Sequence, residues 1–513
     1  MKKSLKMTAL ISVGVSLALV ATACTGGSGT TSTEGTEGST TLTASHPQEP
    51  TSWNYMEDAS SAFMVPIYLN VLESLFETAE DGALKPLLAT GYEASDDALT
   101  YTIKLREATF HDGSAFDSAD VVYSLNKNAT ALNGVISAPL RVVSKVEAPD
   151  ASTVVVTLSR PSNSFIAGLG TPATMMSPEG YFETADVGKK IIGTGPFSFG
   201  EYRADVDLTL NGYEDYWGEK PFMKKVIHQF MADETATINA MRAGELDIVG
   251  MLFGPGVEQV ASFEGDDRYT VSFAPSTSGS YLFLNPKTKA LQDIRVRQAI
   301  AYAIDRKPII DAAVGGYAEP SCVYVPTWTS SWNSDYCPYP FDQDKAKQLL
   351  AEAGYADGLT IDFPYLTIAE FPASFEVVNS QLAAVGITVD GRGQDLPTWA
   401  AQVFSKIADY EISHITNNAS LSSYSCEGAT PPFGSEALCD PDFEAFVTNN
   451  DQIVDPGEYT AAMKAMADHV ADTGWMIELF AKTEPGIAKA GLTGLAKYRT
   501  AIEMDYRHIR WAK

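Results

Sequence analysis

The sequence predicts an α/β or α+β fold divided into two or three domains, and three observations carry that reading. β-branched, alternating segments recur between stretches of helical periodicity. Acidic capping residues and glycines punctuate those helical stretches. The chain has 513 residues, 45% of them hydrophobic and 10% aromatic, enough to bury more than one core.

The chain begins with Lys2, Lys3 and Lys6, followed by an apolar run from Met7 to Val20. That run is too short to span a bilayer and reads as an export signal. It ends in Val20-Ala21-Thr22-Ala23-Cys24, which resembles the lipobox of bacterial lipoproteins, with Ala21 where that motif usually has Leu or Val. The resemblance implies a signal peptide over 1–23 and a lipidated Cys24 as the mature N-terminus. From Thr25 to Thr41 the chain is almost entirely Thr, Ser and Gly with Glu34 and Glu37, so 24–41 is expected to be a disordered tether. A folded body begins near Leu42.

Within the body, "ALTYTIKLR" (Ala98 to Arg106) and "STVVVTLSR" (Ser152 to Arg160) have the pattern of strands. "DETATINAMRAGELDIV" places Asp233 as the cap of a helix carrying Ile238 and Met241; Gly244 stops it, and Leu246, Ile248 and Val249 form a strand. "DIRVRQAIAYAIDRKPIIDAAVGG" spaces Val296, Ile300, Ala303 and Ile304 as a helix. Pro308 is placed to open a second helix that Gly315-Gly316 ends. "FDQDKAKQLLAEAGYADGLTIDF" repeats the logic, with Asp342 or Asp344 at the cap, Ala346, Leu349, Leu350 and Ala353 on one face, Gly354 as the stop, and a strand beyond.

Composition excludes whole classes of partner. A formal charge of -29 and an isoelectric point near 4.5 oppose binding to nucleic acid or to an anionic membrane surface. With Cys24 assigned to a lipid, Cys322, Cys337, Cys426 and Cys439 remain. In an exported chain they are expected to form disulfides, with local pairing preferred among the three possible connectivities. No CxxC or nearby histidine spacing supports a metal site.

Catalytic motifs are missing as well. The chain has no Gly-x-Ser-x-Gly elbow, Walker A loop or His-Glu-x-x-His helix, and His46, His111, His228, His414, His469 and His508 are scattered. Gly193-Thr194-Gly195 lacks the third glycine of a dinucleotide loop; Pro196 and the alternating aromatics after it make it a turn into a strand. Asp96-Asp97 and Asp266-Asp267 read as solvated turn residues. The expectation is a protein that is not an enzyme and uses neither cofactor nor metal.

Five stretches carry a family resemblance: "LREATFHDGSAFDSADVVYSLNKN" (Leu105 to Asn128), "IGTGPFSFGEYRADVDLTLNGYEDYWGEKP" (Ile192 to Pro221), "INAMRAGELDIV" (Ile238 to Val249), "YLFLNPKTKALQDIRVRQAIAYAIDRKPIIDAAVGGYAEP" (Tyr281 to Pro320) and "FDQDKAKQLLAEAG" (Phe341 to Gly354). In this order they resemble the peptide/nickel/oligosaccharide class of ABC importer solute-binding lipoproteins, the extracellular solute-binding family 5. The resemblance implies an α/β, two-lobed periplasmic-binding-protein type II fold (cluster C) with an inserted domain. Domain I would combine 42–75, 187–285 and 481–513; domain II would be 76–186 and domain III 286–480. Extended strands would link the lobes through a hinge, and importer permeases, driven by cytoplasmic ATPases, would recognise the closed state. The protein would work as a monomer outside the cytoplasm, held to the membrane by its lipid alone.

The same resemblance places the ligand cleft near Trp53 to Met56, the crossover strand before Asn285, the Trp399 helix and the loop after Tyr410-Glu411. Trp53, Tyr55, Tyr281 and Trp399 suit such a site as flat apolar faces with a polar edge. Peptide binders of the family carry an aspartate in the loop that pairs with the ligand's α-ammonium, whereas this chain has Ser420 and no carboxylate between His414 and Tyr424. Burying an ammonium without a counter-charge costs several kcal/mol, so a peptide needs another anchor here. His414, Asn417, Asn418 and Ser420 are neutral donors and acceptors that would also suit an oligosaccharide or a peptide backbone. The expected ligand is a peptide, with an oligosaccharide as the alternative and an enzyme or signalling receptor on the same scaffold as a distant one.

Overall fold

A mixed sheet, nine-stranded among the described residues, forms the spine of the structure. Its order is Phe197–Arg203, Asp207–Gly212, Lys225–Phe230, Thr41–His46, Ile248–Gly250, Met476–Lys489, Tyr269–Leu284 and Ile412–Asn417, with Glu319–Pro320 also on Met476–Lys489. The computed structural model describes residues 39–79, 82–184, 187–250, 256–323, 325, 329, 331–403, 410–417, 441–495 and 504–512. Thr41–His46 runs parallel to both its neighbours, and the other pairings are antiparallel. Alternation explains the burial: Leu42 and Ala44, Leu208 and Leu210, and Val226 and His228 point into a core also filled by Phe63, Phe197 and Tyr506.

Two strands in this sheet are unusually long. Tyr269–Leu284 has 16 residues and Met476–Lys489 has 14. They pair from Tyr269↔Lys489 to Phe283↔Met476, with register shifts between Pro275 and Gly279 and between Ser280 and Tyr281. On one side of the first shift, Val271, Phe273 and Ile487 pack with Ile238, Met241 and Val249. On the other, Leu282, Leu284, Ile477 and Leu479 join a separate core with Ile300, Leu350 and Phe363. One pair of strands therefore runs through two cores, and its ladder is interrupted between them.

A third core belongs to the four-stranded antiparallel sheet Ala89–Ala94, Thr100–Leu105, Thr153–Leu158 and Val143–Asp150. Helix Ser118–Asn128 accompanies it, started by a reciprocal capping box between Asp117 and Asp120. The second main core surrounds a parallel pair, Leu359–Leu366 and Ile387–Gln394, with helices Ile294–Ala303, Arg306–Val314, Gln343–Glu352 and Phe371–Ala384. The carboxylates of Asp233, Asp293, Asp305 and Asp342 each accept a backbone N–H at a helix start. Asp342, not Asp344, is the cap of its helix. Pro308 does not open its helix, because Asp305 caps it earlier and Arg306 and Lys307 take the first two positions. Cys322 and Cys337 form a disulfide with a Cα–Cα distance of 5.1 Å. Closing a loop of that size contributes on the order of 3 kcal/mol in the chain-entropy account. Cys24, Cys426 and Cys439 lie outside the described residues.

The Gly193-Thr194-Gly195 turn is a close backbone crossing. A Cβ on Gly193 would lie 1.9 Å from the Val71 carbonyl oxygen, and one on Gly195 would lie 2.4 Å from that of Asn70. The Gly195 and Phe197 amides donate to the Val71 and Asn70 carbonyls at 3.1 and 2.9 Å, and the His111 Nε2 lies 2.9 Å from the Gly195 carbonyl oxygen. Beside the turn, the fully buried Glu73 accepts from the Thr194 hydroxyl at 2.8 Å, the Tyr216 hydroxyl at 2.7 Å and the Trp217 indole N–H at 2.9 Å. Among the described residues, no helix is long and apolar enough to cross a membrane.

Candidate ligand-binding site

The four aromatics expected to face a ligand are packed side chains. Trp53 meets Phe63, Phe199 and Tyr202 at centroid distances of 5.2 to 6.0 Å. The Tyr55 hydroxyl donates to Asn128 Oδ1 at 3.1 Å. Tyr281 lies in a core with Phe283, Phe371 and Trp399, and the Trp399 indole N–H donates to the Ser413 hydroxyl at 3.0 Å. All four are at most 4% exposed. Their polar edges are satisfied or enclosed within the protein, which a sequence pattern has no means of revealing. Asn417 pairs with Gly279 at the end of its strand; Asn418 and Ser420 lie outside the described residues.

What the fold does bring together is polar, and it sits where the long strands change cores. Lys482 occupies the interrupted register between Ala481, opposite Gly279, and Thr483, opposite Pro275. Its ammonium donates to Glu370 Oε1 at 2.8 Å. The Thr416 hydroxyl donates to the same oxygen at 3.3 Å. Glu370 stands immediately before helix Phe371–Ala384, and its carboxylate side chain is only 8% exposed. Burial alone would raise its pKa, but the Lys482 charge and hydrogen bond outweigh that and hold it below the ordinary glutamate value. Further along the crossing, the Ser276 hydroxyl donates to Glu484.

His414 completes the group. Its Nε2 lies 2.6 Å from the Ser280 hydroxyl, and its ring packs 4.7 Å from that of Phe371. Complete burial lowers its pKa to about 4, so the imidazole is neutral at pH 7. A Ser–His contact beside a carboxylate invites comparison with a nucleophile and its base. Here Ser280 is fully buried inside a strand pairing, and among the described residues His414 Nδ1 has no hydrogen-bond partner to orient it. Among the described residues the pair therefore lacks both substrate access and the third group that such catalysis needs.

The neutral state of His414 has a measurable consequence. In imidazole NMR titrations of the full chain, His414 is expected to protonate near pH 4, well below the ordinary value of about 6.5. The unfolded chain binds this proton at the higher pH, so the contribution of neutral His414 to stability is complete above about pH 6.5 and declines as pH falls toward 4. A midpoint near 6.5 would show that the imidazole is solvated.

Sequence reading missed Glu370 because the acid belongs to "IAEFPASF", 46 residues before Thr416 and 112 before Lys482. Its one local signal was an acid directly before an apolar helix start. Among the described residues, no group of three His, Cys, Asp or Glu side chains could hold a metal ion. His46 and His228 are nevertheless not scattered, since their rings stack at 5.9 Å.

Two cores joined by paired crossing strands, with a polar group at the crossing, make up an α/β architecture of the two-lobed periplasmic-binding-protein kind. Residues 83–427 match the bacterial extracellular solute-binding proteins, family 5, and the chain belongs to that family. Its members are solute carriers, not catalysts. Over 335 residues it is 35% identical to a provisionally assigned ABC transporter peptide-binding protein of Brucella ovis, a match covering 62% of each chain. Over 355 residues it is 30% identical to the glutathione-binding protein GsiB of Escherichia coli O1:K1 / APEC, covering 68% of this chain and 69% of the relative. The crystal structure of the ABC transporter substrate-binding protein CtaP from Listeria monocytogenes superposes with a TM-score of 0.83 at 24% identity, covering 93% of this chain and 100% of CtaP.

Proposed function

We propose that this chain is the ligand-capturing component of an ABC importer, taking a peptide between its lobes and delivering it to permease subunits driven by cytoplasmic ATPases. It works as a monomer tethered to the outer face of the membrane through lipidated Cys24. Domain I comprises 42–75, 187–285 and 481–513, domain II 76–186, and domain III 286–480. The separate cores and the interrupted register of the two long strands support this division.

The observation that carries the ligand class is Glu370. Peptides need a counter-charge for their α-ammonium, and the window His414 to Tyr424 has none. Glu370 provides a carboxylate that Lys482 keeps ionised, beside His414 and Thr416 and next to the crossing. Lys482 and Thr416 both engage Oε1; a ligand ammonium would bind at Oε2, and Lys482 would meet a ligand carboxylate. Asn417, Asn418 and Ser420 would then contact the peptide backbone. The relatives named for peptides and for glutathione, itself a small peptide, fit the same class.

Titration calorimetry of the full chain against mixed di- to pentapeptides and against neutral oligosaccharides tests the reading. Peptides are expected to bind and sugars to give no heat. Glu370→Gln is expected to weaken peptide affinity about 10- to 100-fold, the effect of removing one charged partner from a desolvated pair. Binding of sugars alone would replace peptide with oligosaccharide as the cargo. Unchanged peptide affinity in Glu370→Gln would remove the anchor from this site.

A further inference from the structure

We infer that Asp451 is a latch that fastens the two lobes together away from the hinge, a reading that rests on the two-lobed mechanism above. Asp451 follows helix Pro441–Asn450, whose Phe446 and Val447 pack in the core of Tyr281 and Trp399. Facing it is the segment Arg160 to Ser164, next to Leu158 and Phe165 in the core of the four-stranded sheet. Asp451 Oδ2 accepts from the Arg160 guanidinium at 2.6 Å. Oδ1 accepts from the Ser164 amide at 2.8 Å, and the Ser162 hydroxyl lies 3.0 to 3.1 Å from both oxygens. The backbone joins in: the Asn163 amide donates to the Asp451 carbonyl at 2.5 Å, and Asn163 Nδ2 donates to the Ile453 carbonyl at 3.2 Å.

Connectivity gives this contact its meaning. The chain enters the core that holds Asp451 by strand Tyr269–Leu284 and leaves it by strand Met476–Lys489. Rotation about the interrupted register between them would separate Asp451 from Arg160, since among the described residues no chain segment joins the two near that point. The contact is therefore available in one arrangement of the lobes only, and its hydrogen bonds shift the equilibrium toward that arrangement. Its charge suits the task. Burial would raise the Asp451 pKa, but the Ser164 amide, Arg160 and Ser162 outweigh that and hold it below the ordinary aspartate value. Arg160 is partly exposed, so the ion pair is reversible and not a permanent buried bridge.

Hydrogen exchange by mass spectrometry on the full chain without added ligand tests the latch, because the Asn163 amide bonds to a backbone carbonyl that side-chain substitution leaves in place. In Asp451→Ala, exchange over residues 159–166 is expected to rise about tenfold, which corresponds to about 1.4 kcal/mol. The radius of gyration from solution scattering should increase, while strand Thr153–Leu158 stays protected. The double substitution Arg160→Asp with Asp451→Arg should recover part of the protection. Equal exchange over 159–166 in the parent and Asp451→Ala, whether slow or fast, would overturn the inference. Peptide binding is measured separately: a latch that responds in a protein that binds no peptide would retain this inference and discard the proposed cargo.

Discussion

Replacing Glu73 by alanine is expected to lower the unfolding free energy by about 3–5 kcal/mol, the penalty for breaking a buried charged network from one side. The Glu73 carboxyl group is fully buried and receives the Thr194 and Tyr216 hydroxyls and the Trp217 indole N–H; burial raises its pKa above the ordinary glutamate value, against the lowering effect of the nearby Arg507 charge. Alanine would leave three donors unpaired beside a cavity, those of Thr194 and Tyr216 buried and that of Trp217 partly buried. It would also remove a negative neighbour of Arg507, which retains Glu77 and Asp505. Domains of this kind are stable by only about 5–15 kcal/mol, so solute binding would fall through loss of folded protein, not through a change at the ligand. Urea melts of parent and variant measure the effect. Glu73→Gln, which keeps acceptor capacity without charge, should cost on the order of 2 kcal/mol. A loss below about 1 kcal/mol for alanine would mean the network relaxes freely.

Gly193→Ala is expected to be comparably damaging, about 3 kcal/mol or more, by steric conflict instead of lost polarity. Its new methyl would lie 1.9 Å from the Val71 carbonyl oxygen, which is backbone and cannot rotate away. The strand that follows would lose its docking, since the Gly195 and Phe197 amides bond to the same turn of chain. Gly91→Ala is the matched control. No atom lies within 4 Å of its added Cβ, and its φ is not positive, so its stability should stay within about 0.5 kcal/mol of the parent. Soluble yield and urea midpoints separate the two outcomes. A Gly193→Ala protein as stable as Gly91→Ala would show that the crossing is looser than its geometry implies.

The Gly-Thr-Gly stretch, one of those that carry the family resemblance, is a packed junction of backbone and side chains. Thr194, Tyr216 and Trp217 are spaced along one segment so that they converge on Glu73. The Tyr213 hydroxyl donates to the Phe110 carbonyl at 3.1 Å. The glycines admit the neighbouring backbone. The motif is a junction of the lobe's framework, and the polar group around Glu370 and Lys482 lies elsewhere in the sheet.

Local rules alone determined much of this protein. The strands over Thr100–Leu105 and Thr153–Leu158 follow from alternation, and the helix starts after Asp233, Asp293 and Asp342 from a carboxylate within reach of the next free amides. The α/β class was likewise legible in pattern. Tertiary structure alone set the surroundings of the aromatics, and it buried Trp53, Tyr55, Tyr281 and Trp399. It also paired Glu370 with Lys482, Asp451 with Arg160 and Glu73 with Trp217, across separations of 112, 291 and 144 residues. The physical reason is range. Capping, alternation and turn chemistry act over a few residues and are written in neighbouring letters. A buried charge finds its partner only after strands from distant parts of the chain have been packed side by side.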